Sequence, residues 1–339
     1  MTGQPKVIGV RVLATFAAVL LVAPACGNRR EALTVYSGRT ENLVGPLLEK
    51  FSKEKNIPIN VRYGDSADLA LLIGEEGENS PADVFFSQSP GAVGLLAGRN
   101  LLAKIGAAQL EKVPEAFRGK NETWVGVSAR QRVLVYNSDM VEQDDLPKSV
   151  FDLAEPRYKG KLGVAPNNAS FQDFVTAMRV IEGEEKTRRW LEGLDSNAAE
   201  VYPNNNAIVA AVGRGEIPLG LVNHYYNYRF LKEDPKTPSK NYVFPGSDIG
   251  SIVLATSATV LRSTKRSREA GEFISYLLSP GAQEYFAEET FEYPLAKGAR
   301  PSPRIPPLDT KATPTADLQG LGGGLRKTTR MIAESGLAR

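Results

Sequence analysis

Residues 219–233 read LGLVNHYYNYRFLKE. Tyr225 and Tyr226 are adjacent, Tyr228 follows two places later, and His224, the only histidine of the chain, precedes them. A phenol ordinarily keeps its proton to about pH 10, so it becomes an oxyanion at neutral pH only when a strong electrophile displaces that proton. A hard, oxygen-preferring trivalent cation such as ferric iron does this, whereas softer metals call for Cys, Met or several His. Two phenolates leave one positive charge on such a metal and several open coordination positions, which an anion or a carboxylate must fill. The plain alternative is an aromatic cluster that packs a core and keeps its hydroxyls at the solvent. Placement decides between the two. Adjacent side chains diverge by about 100° around a helix and point oppositely from a strand, so neighbouring tyrosines converge on one ligand mainly at a strand-to-helix junction. GLVNHYYNYRF has the pattern of such a junction.

The elements that must position these residues follow from the periodicity. ALTVYSGRT is a β-rich run stopping at Ser37-Gly38, and ENLVGPLLEKFSKEKN carries Leu43, Leu47, Leu48 and Phe51 at helical spacing. IPINVRYGD reads as a strand, SADLALLIGEEGENS as a helix and ADVFFSQS as a short buried strand. This βαβαβ rhythm predicts an α/β sheet with parallel strands. TWVGVSARQRVLVYNSD is long for one strand and is expected to cross between two lobes. A second cycle begins with KLGVAPNNASFQDFVTAMRVIEG and continues through AAEVYPNNNAIVAAVGRGEIPLGLV, whose last strand leads into the tyrosines. SIVLATSATVL returns as a strand to the first lobe, SREAGEFISYLLSPGAQEYFAEE reads as two helices, and LGGGLRKTTRMIAESGL as a glycine turn with a closing amphipathic helix. Polar residues recur at the carboxyl ends of the expected strands, at 37–40, 87–89, 167–170 and 223–226, the edge where open α/β sheets bind ligands. The helices opening after PNNASF and YPNNNA present free N–H groups that suit an anion.

The 339 residues are too many for one comfortable core, so two lobes are expected. Lys+Arg 41 against Asp+Glu 39 gives a net charge of +2, which excludes the footprint of a nucleic-acid binder. The chain opens with Lys6 and Arg11, an apolar run from Val12 to Val22, and small residues ending at Cys26, the one cysteine. That is the pattern of an export signal. The run is short of the about 20 residues a spanning helix needs, and its APAC ending resembles a lipobox, with Ala23 where Leu is more usual. Cys26 is then the lipid anchor; simple secretion is the alternative. A lone cysteine leaves the mature chain without a disulfide, a Cys-rich metal site or a thiol nucleophile.

The stretches LTVYSGRTENLV, EEGENSPADVFFSQ, YKGKLGVAPNNASFQDF, AVGRGEIPLGLVNHYYNYR and FEYPLAKG resemble the ferric-iron-binding proteins of bacterial ABC importers, which belong to the class II periplasmic-binding proteins. The resemblance covers nearly the whole mature chain. It implies an α/β fold of two lobes, two mixed sheets flanked by helices, with a hinge and an interlobe cleft. The expected boundaries are a signal at 1–26, lobe 1 at 32–130 and 252–298, and lobe 2 at 131–251 and 299–339. It implies that Tyr225 and Tyr226 are the paired iron ligands, that Asn223 and Asn205 stand near a synergistic carbonate or phosphate, and that the turn Asn168, Ala169, Ser170 holds that anion through its N–H groups. Thr40 and Gln88 occupy positions where the best-known members carry His and Glu, and Phe171 stands where other branches carry a third tyrosine. Neither Thr nor Gln is a strong iron ligand, so the metal must lean on the anion.

Arg39, Arg130 or Arg132 is expected to neutralise that anion through charge-assisted hydrogen bonds, against the plainer role of pairing a structural carboxylate. His224 is a ligand by type, but a structural role is expected for it. GEEGENS lacks the spacing of a calcium loop, and GLGGGLRK lacks the strand and spacing of a phosphate loop. The resulting expectation is a monomeric, exported carrier, periplasmic or held at the cell surface through Cys26. It takes ferric iron, bare or chelated, to a permease and its ATPase. A binding protein for an oxyanion or a small organic cation is the alternative within the fold. A secreted hydrolase is the alternative outside it, disfavoured by one His, no G-x-S-x-G elbow and no evident carboxylate pair.

Overall fold

The computed structural model describes residues 1–3, 31–88, 90–119, 121–308 and 324–338. Cys26, nearly all of the expected export signal and the glycines at 322 and 323 lie outside the described residues. Residues Met1–Glu31 are set apart as one unit, and all that follows concerns the other, Ala32–Arg339.

The first cycle runs β1 (Leu33–Ser37), α1 (Glu41–Lys55), β2 (Ile59–Tyr63), α2 (Ser66–Glu76), β3 (Val84–Ser87), α3 (Pro90–Gly98) and the short α4 (Ala107–Leu110). It ends in β4 (Val125–Asn137). The second cycle comprises β5 (Leu162–Val164), α5 (Ala169–Glu182), α6 (Glu184–Ser196), β6 (Glu200–Val201), α7 (Asn205–Gly213), β7 (Leu219–Asn223), α8 (His224–Glu233) and β8 (Ser239–Tyr242). The chain then returns through β9 (Val253–Val260), α9 (Ser267–Leu277), α10 (Pro280–Glu288), β10 (Tyr293–Pro294) and α11 (Leu325–Glu334). The sheet order is β2-β1-β3-β9-β4-β7-β5-β6, with β8 and β10 also on β4.

The pairing is mixed. β1 lies parallel to β2 and β3, and β5 parallel to β6 and β7, as βαβ crossovers require. β9 and β7 run antiparallel to β4. β4 serves two half-sheets: residues 125–131 pair with β9, and residues 132–136 pair with β7. All thirteen of its residues are buried, including Ser128, Arg130, Gln131 and Arg132. Strands of a sheet covered by helices on both faces read as near-continuous apolar runs. Polar residues in the middle of β4 are therefore a departure from the pattern, and they fall where the two half-sheets meet.

α1 buries Leu43, Val44, Leu47, Leu48 and Phe51 on one face, as their spacing predicts. α3, α6, β8 and β10 are elements the sequence reading did not single out. α6 carries its own signal in Thr187, Trp190, Leu191 and Leu194, all buried. α11 packs on α5 through a hydroxyl contact of 2.7 Å between Thr176 and Thr328, to which Arg179 also donates at 2.7 Å. Among the described residues no helix is long and apolar enough to cross a membrane.

Three loops at the carboxyl edge of the first half-sheet are stitched together. The Gly38 amide donates to Phe86 O at 2.8 Å, the Gly64 amide to Ser37 O at 3.2 Å, and the Gln88 amide to Ser66 Oγ at 3.0 Å. Gly38 presses on Ser66: a Cβ at this position would lie 1.9 Å from Ser66 Oγ and 3.1 Å from its Cα. Gly38→Ala is expected to overpack this junction and destabilise the protein by about 1–3 kcal/mol, read as a lowered midpoint in urea unfolding at unchanged m-value.

Candidate metal centre

β7 is buried throughout and ends at Asn223, whose φ of −86° and ψ of 145° are extended; helix α8 starts at the next residue. Tyr225 and Tyr226 are the second and third residues of α8, past the junction rather than astride it, and their rings nevertheless lie side by side, with centroids 4.2 Å apart and planes inclined by 29°. Tyr225 is fully buried, and among the described residues its hydroxyl has no partner in hydrogen-bond geometry. Both rings line a cleft of about 400 Å3. Burial, followed by the neighbouring Tyr226, pushes the Tyr225 phenol well above its ordinary pKa, so in the free protein it is a neutral donor facing a cavity. Unpartnered polar groups in such a place await a ligand or water.

His224 turns away from the cleft. Its Nδ1 accepts from the Gln131 amide at 3.1 Å, its Nε2 donates to Phe291 O at 2.8 Å, and its ring stacks on Tyr293 at 4.7 Å. Desolvation in this buried site pushes its pKa down to about 4. It is a neutral structural residue, as expected.

Beneath the tyrosines lie three buried arginines. Arg39, from the β1–α1 loop, has its Nη2 2.8 Å from Glu292 Oε1, both side chains being fully buried, and its guanidinium lies 5.7 Å over the Tyr225 ring. The approach to Glu292 is close but out of line for a hydrogen bond. Burial opposes the Arg39 charge, but Glu292 and then the two phenols more than offset it, and its pKa is held above the ordinary value. Arg130 pairs with Asp173 at 3.3 Å, and burial lowers its pKa. Arg132 donates to Leu221 O at 3.0 Å and packs over Phe174 at 5.2 Å, without a carboxylate partner among the described residues. Burial, then Arg130, pushes it down to about 9. Three guanidiniums thus face two carboxylates, and the surplus positive charge is what a bound anion or phenolate would neutralise.

Of the expected site residues, Arg39, Thr40, Gln88, Asn168, Tyr225 and Tyr226 line the cleft together. Gln88 has its Nε2 buried and unpartnered. Asn168 caps α5: its Oδ1 accepts from the Ser170 amide at 3.1 Å, the Ser170 hydroxyl at 2.6 Å and Asn205 Nδ2 at 3.1 Å. Ser170 and Asn205 are therefore buried behind Asn168 and used in holding it, and Ala169 lies with them off the cleft wall. Asn223 and Arg130 are likewise buried outside the lining. Arg130 takes the plainer role, that of pairing a structural carboxylate. Phe171 stacks on Trp190 at 6.2 Å, in the core.

The cleft also holds residues that sequence reasoning missed, namely Glu41, Tyr63, Asp65, Asn204, Asn206 and Arg229. Asn204 and Asn206 were legible in the PNNN run. Glu292 and Asp173 had no local signal, because they meet their arginines across 253 and 43 residues of chain. A larger hollow of about 670 Å3 between α10 and residues 296–303 contains neither tyrosine nor any of the buried arginines. Among the described residues no group of three His, Cys, Asp or Glu side chains could hold a metal.

A sheet joined through one shared strand, with a polar cleft at its carboxyl edges, defines a protein that encloses a small solute. Residues 79–317 match the bacterial extracellular solute-binding protein family, and the chain belongs to it. It is 30% identical over 333 residues to the Fe(3+)-binding periplasmic protein of Serratia marcescens, covering 97% of this chain and 98% of that protein. It is 31% identical over 293 residues to the major ferric iron-binding protein of Neisseria meningitidis serogroup B, covering 84% and 86%. The crystal structure of iron-bound HitA from Pseudomonas aeruginosa superposes with a TM-score of 0.85 at 33% identity, over 90% of this chain and 99% of that one. The fold is that of the class II periplasmic-binding proteins.

Glu292→Ala leaves Arg39 buried without its counter-charge and is expected to cost about 3–5 kcal/mol, measured by chemical unfolding at neutral pH. His224 is neutral when folded and titrates near its ordinary value when unfolded. Its contribution is therefore complete above about pH 6.5 and lost as pH falls towards 4. Over that window the ligand-free protein should lose about 3 kcal/mol more stability than its His224→Gln variant, the acids common to both cancelling in the difference.

Proposed function

We propose that this chain is an exported carrier of ferric iron. Tyr225 and Tyr226 surrender their protons to bind Fe3+ as phenolates, and a carbonate- or phosphate-type anion completes the coordination. The observation that carries this is the Tyr225 hydroxyl, buried and unpartnered, stacked against Tyr226 on the wall of a cleft. The ferric-binding names of the Serratia and Neisseria relatives support it. Arg39 at the cleft wall, with Arg132 behind it, supplies positive charge for the anion, and the starts of α5 and α7 at Asn168 and Asn204 add their dipoles. Ser170, Asn205 and Asn223 act by holding these groups in place.

The lobes in this proposal are 32–130 with 252–298 and 131–251 with 299–339. They close on the ion by hinge motion, and the closed form is what a permease with its ATPase recognises. The protein acts as a monomer without catalysis, after the export signal is cleaved immediately before Cys26, and Cys26 carries the lipid that holds it at the membrane.

Purified protein titrated with ferric salt and carbonate or phosphate should develop a visible phenolate-to-iron charge-transfer band. Tyr225→Phe and Tyr226→Phe should each weaken iron binding by more than about 100-fold, beyond the effect of losing a supporting residue, and together abolish the colour. A wild-type protein that stays colourless with either anion, yet binds the anion alone, would assign the cleft to an oxyanion instead.

A further inference from the structure

The tyrosines and Arg229 reach the cleft from α8, while the loops facing them contribute Thr40 and Gln88, neither of which is a strong ligand for a trivalent cation. Those same loops bring two carboxylates, Glu41 at the first residue of α1 and Asp65 immediately before α2. The stem of Glu41 lies back along its own helix, its Cγ 3.4 Å from the place a Cβ would take on Gly45 one turn on. Asp65 is placed otherwise. It occupies the N-cap of α2 with extended backbone, φ −65° and ψ 139°, where Asp normally accepts from an amide of the first turn. Here its side chain makes no capping hydrogen bond. Its backbone is fixed next to Gly64, whose amide bonds to Ser37 O, so the carboxylate is presented at the cleft by an ordered loop. Two further groups line this cavity with unpartnered buried atoms, the fully buried Tyr225 with its hydroxyl and Gln88 with its Nε2.

We propose that Asp65 is the carboxylate ligand that the first half of the chain supplies to the ferric ion. This rests on Tyr225 and Tyr226 as the phenolate ligands. The charges close: two phenols release their protons to solvent, Asp65 binds through an oxygen that is already anionic, and three negative ligands balance the trivalent metal. Hard oxygen donors from both sides also make the ion the link that holds the cleft shut, which two tyrosines on one helix cannot do.

The test uses ferric titration of the whole mature protein against a competing chelator, with the visible spectrum recorded throughout. Asp65→Asn keeps the shape and remains a good N-cap residue, so the fold is preserved. It should lower iron affinity by about 10- to 100-fold. The charge-transfer band should also move to longer wavelength, because an iron that loses an anionic donor draws phenolate electrons more readily. Asp65→Glu should restore part of both. Asp68→Asn, three residues on and outside the cleft lining, controls for loss of negative charge nearby. An Asp65→Asn protein with unaltered affinity and band, or an equal effect from Asp68→Asn, overturns the assignment of Asp65 while leaving the tyrosines in place. A wild-type protein without a band removes the tyrosine ligands and Asp65 with them.

Discussion

A buried hydroxyl left without a partner costs about 1–3 kcal/mol, and the Tyr225 hydroxyl, unpartnered among the described residues, stands on the cleft wall with the site's charged groups around it. Tyr225 is fully buried in the first turn of α8, which begins on the residue after the buried strand β7. It cannot ionise unaided, since burial holds its proton on. Behind it the positive charge is only partly cancelled, Arg39 by Glu292 and Arg130 by Asp173, with Arg132 left over. Among the described residues the Tyr225 hydroxyl lacks a hydrogen-bond partner and Arg132 lacks a carboxylate. Such preorganisation places the cost in folding, and a ligand that supplies what is absent recovers it on binding.

The single histidine ties this region together without entering the cleft. Its ring bridges the Gln131 amide on β4 and the carbonyl of Phe291. Phe291 holds a φ of +56°, a left-handed conformation uncommon for a bulky residue, and the next residue is Glu292, the counter-charge of Arg39. The imidazole thereby fixes the bend that aims Glu292 beneath the tyrosines. A neutral imidazole suits this, since it must accept at one nitrogen and donate at the other.

The strand-to-helix junction in GLVNHYY was legible, but it falls at Asn223–His224, and both tyrosines lie in the first turn of α8, so the closeness of their rings did not follow from the backbone rule that drew notice to them. The βαβ order was legible from the alternation of apolar periods near 2 and 3.6. Cleft residues at strand ends, such as Thr40, Gln88 and Asn168, followed from where parallel sheets present their loops. What escaped were the pairings across long stretches of chain. Nothing near Glu292 announces Arg39, and nothing near Asp173 announces Arg130, because those distances exist only once the chain has brought the loop after β1 to the residue before β10, and α5 to β4. Asp65 escaped for the opposite reason, since an Asp before a helix reads as a cap, and only the structure reveals that it does not act as one. Asn205 and Ser170 carried a direct role by resemblance, yet geometry commits them to Asn168.

One strand of thirteen residues is woven into both half-sheets, and the amide of Arg132 bonds to Ile252 O where its pairing passes from one to the other. In the carrier proposed above, a shared strand of this kind would confine the movement of one half against the other to torsion in a hydrogen-bonded ribbon. Arg130 and Arg132 ride on that section, so a wrench on the ribbon would tilt the charged floor of the cleft, coupling mechanical shape to grip without any separate messenger.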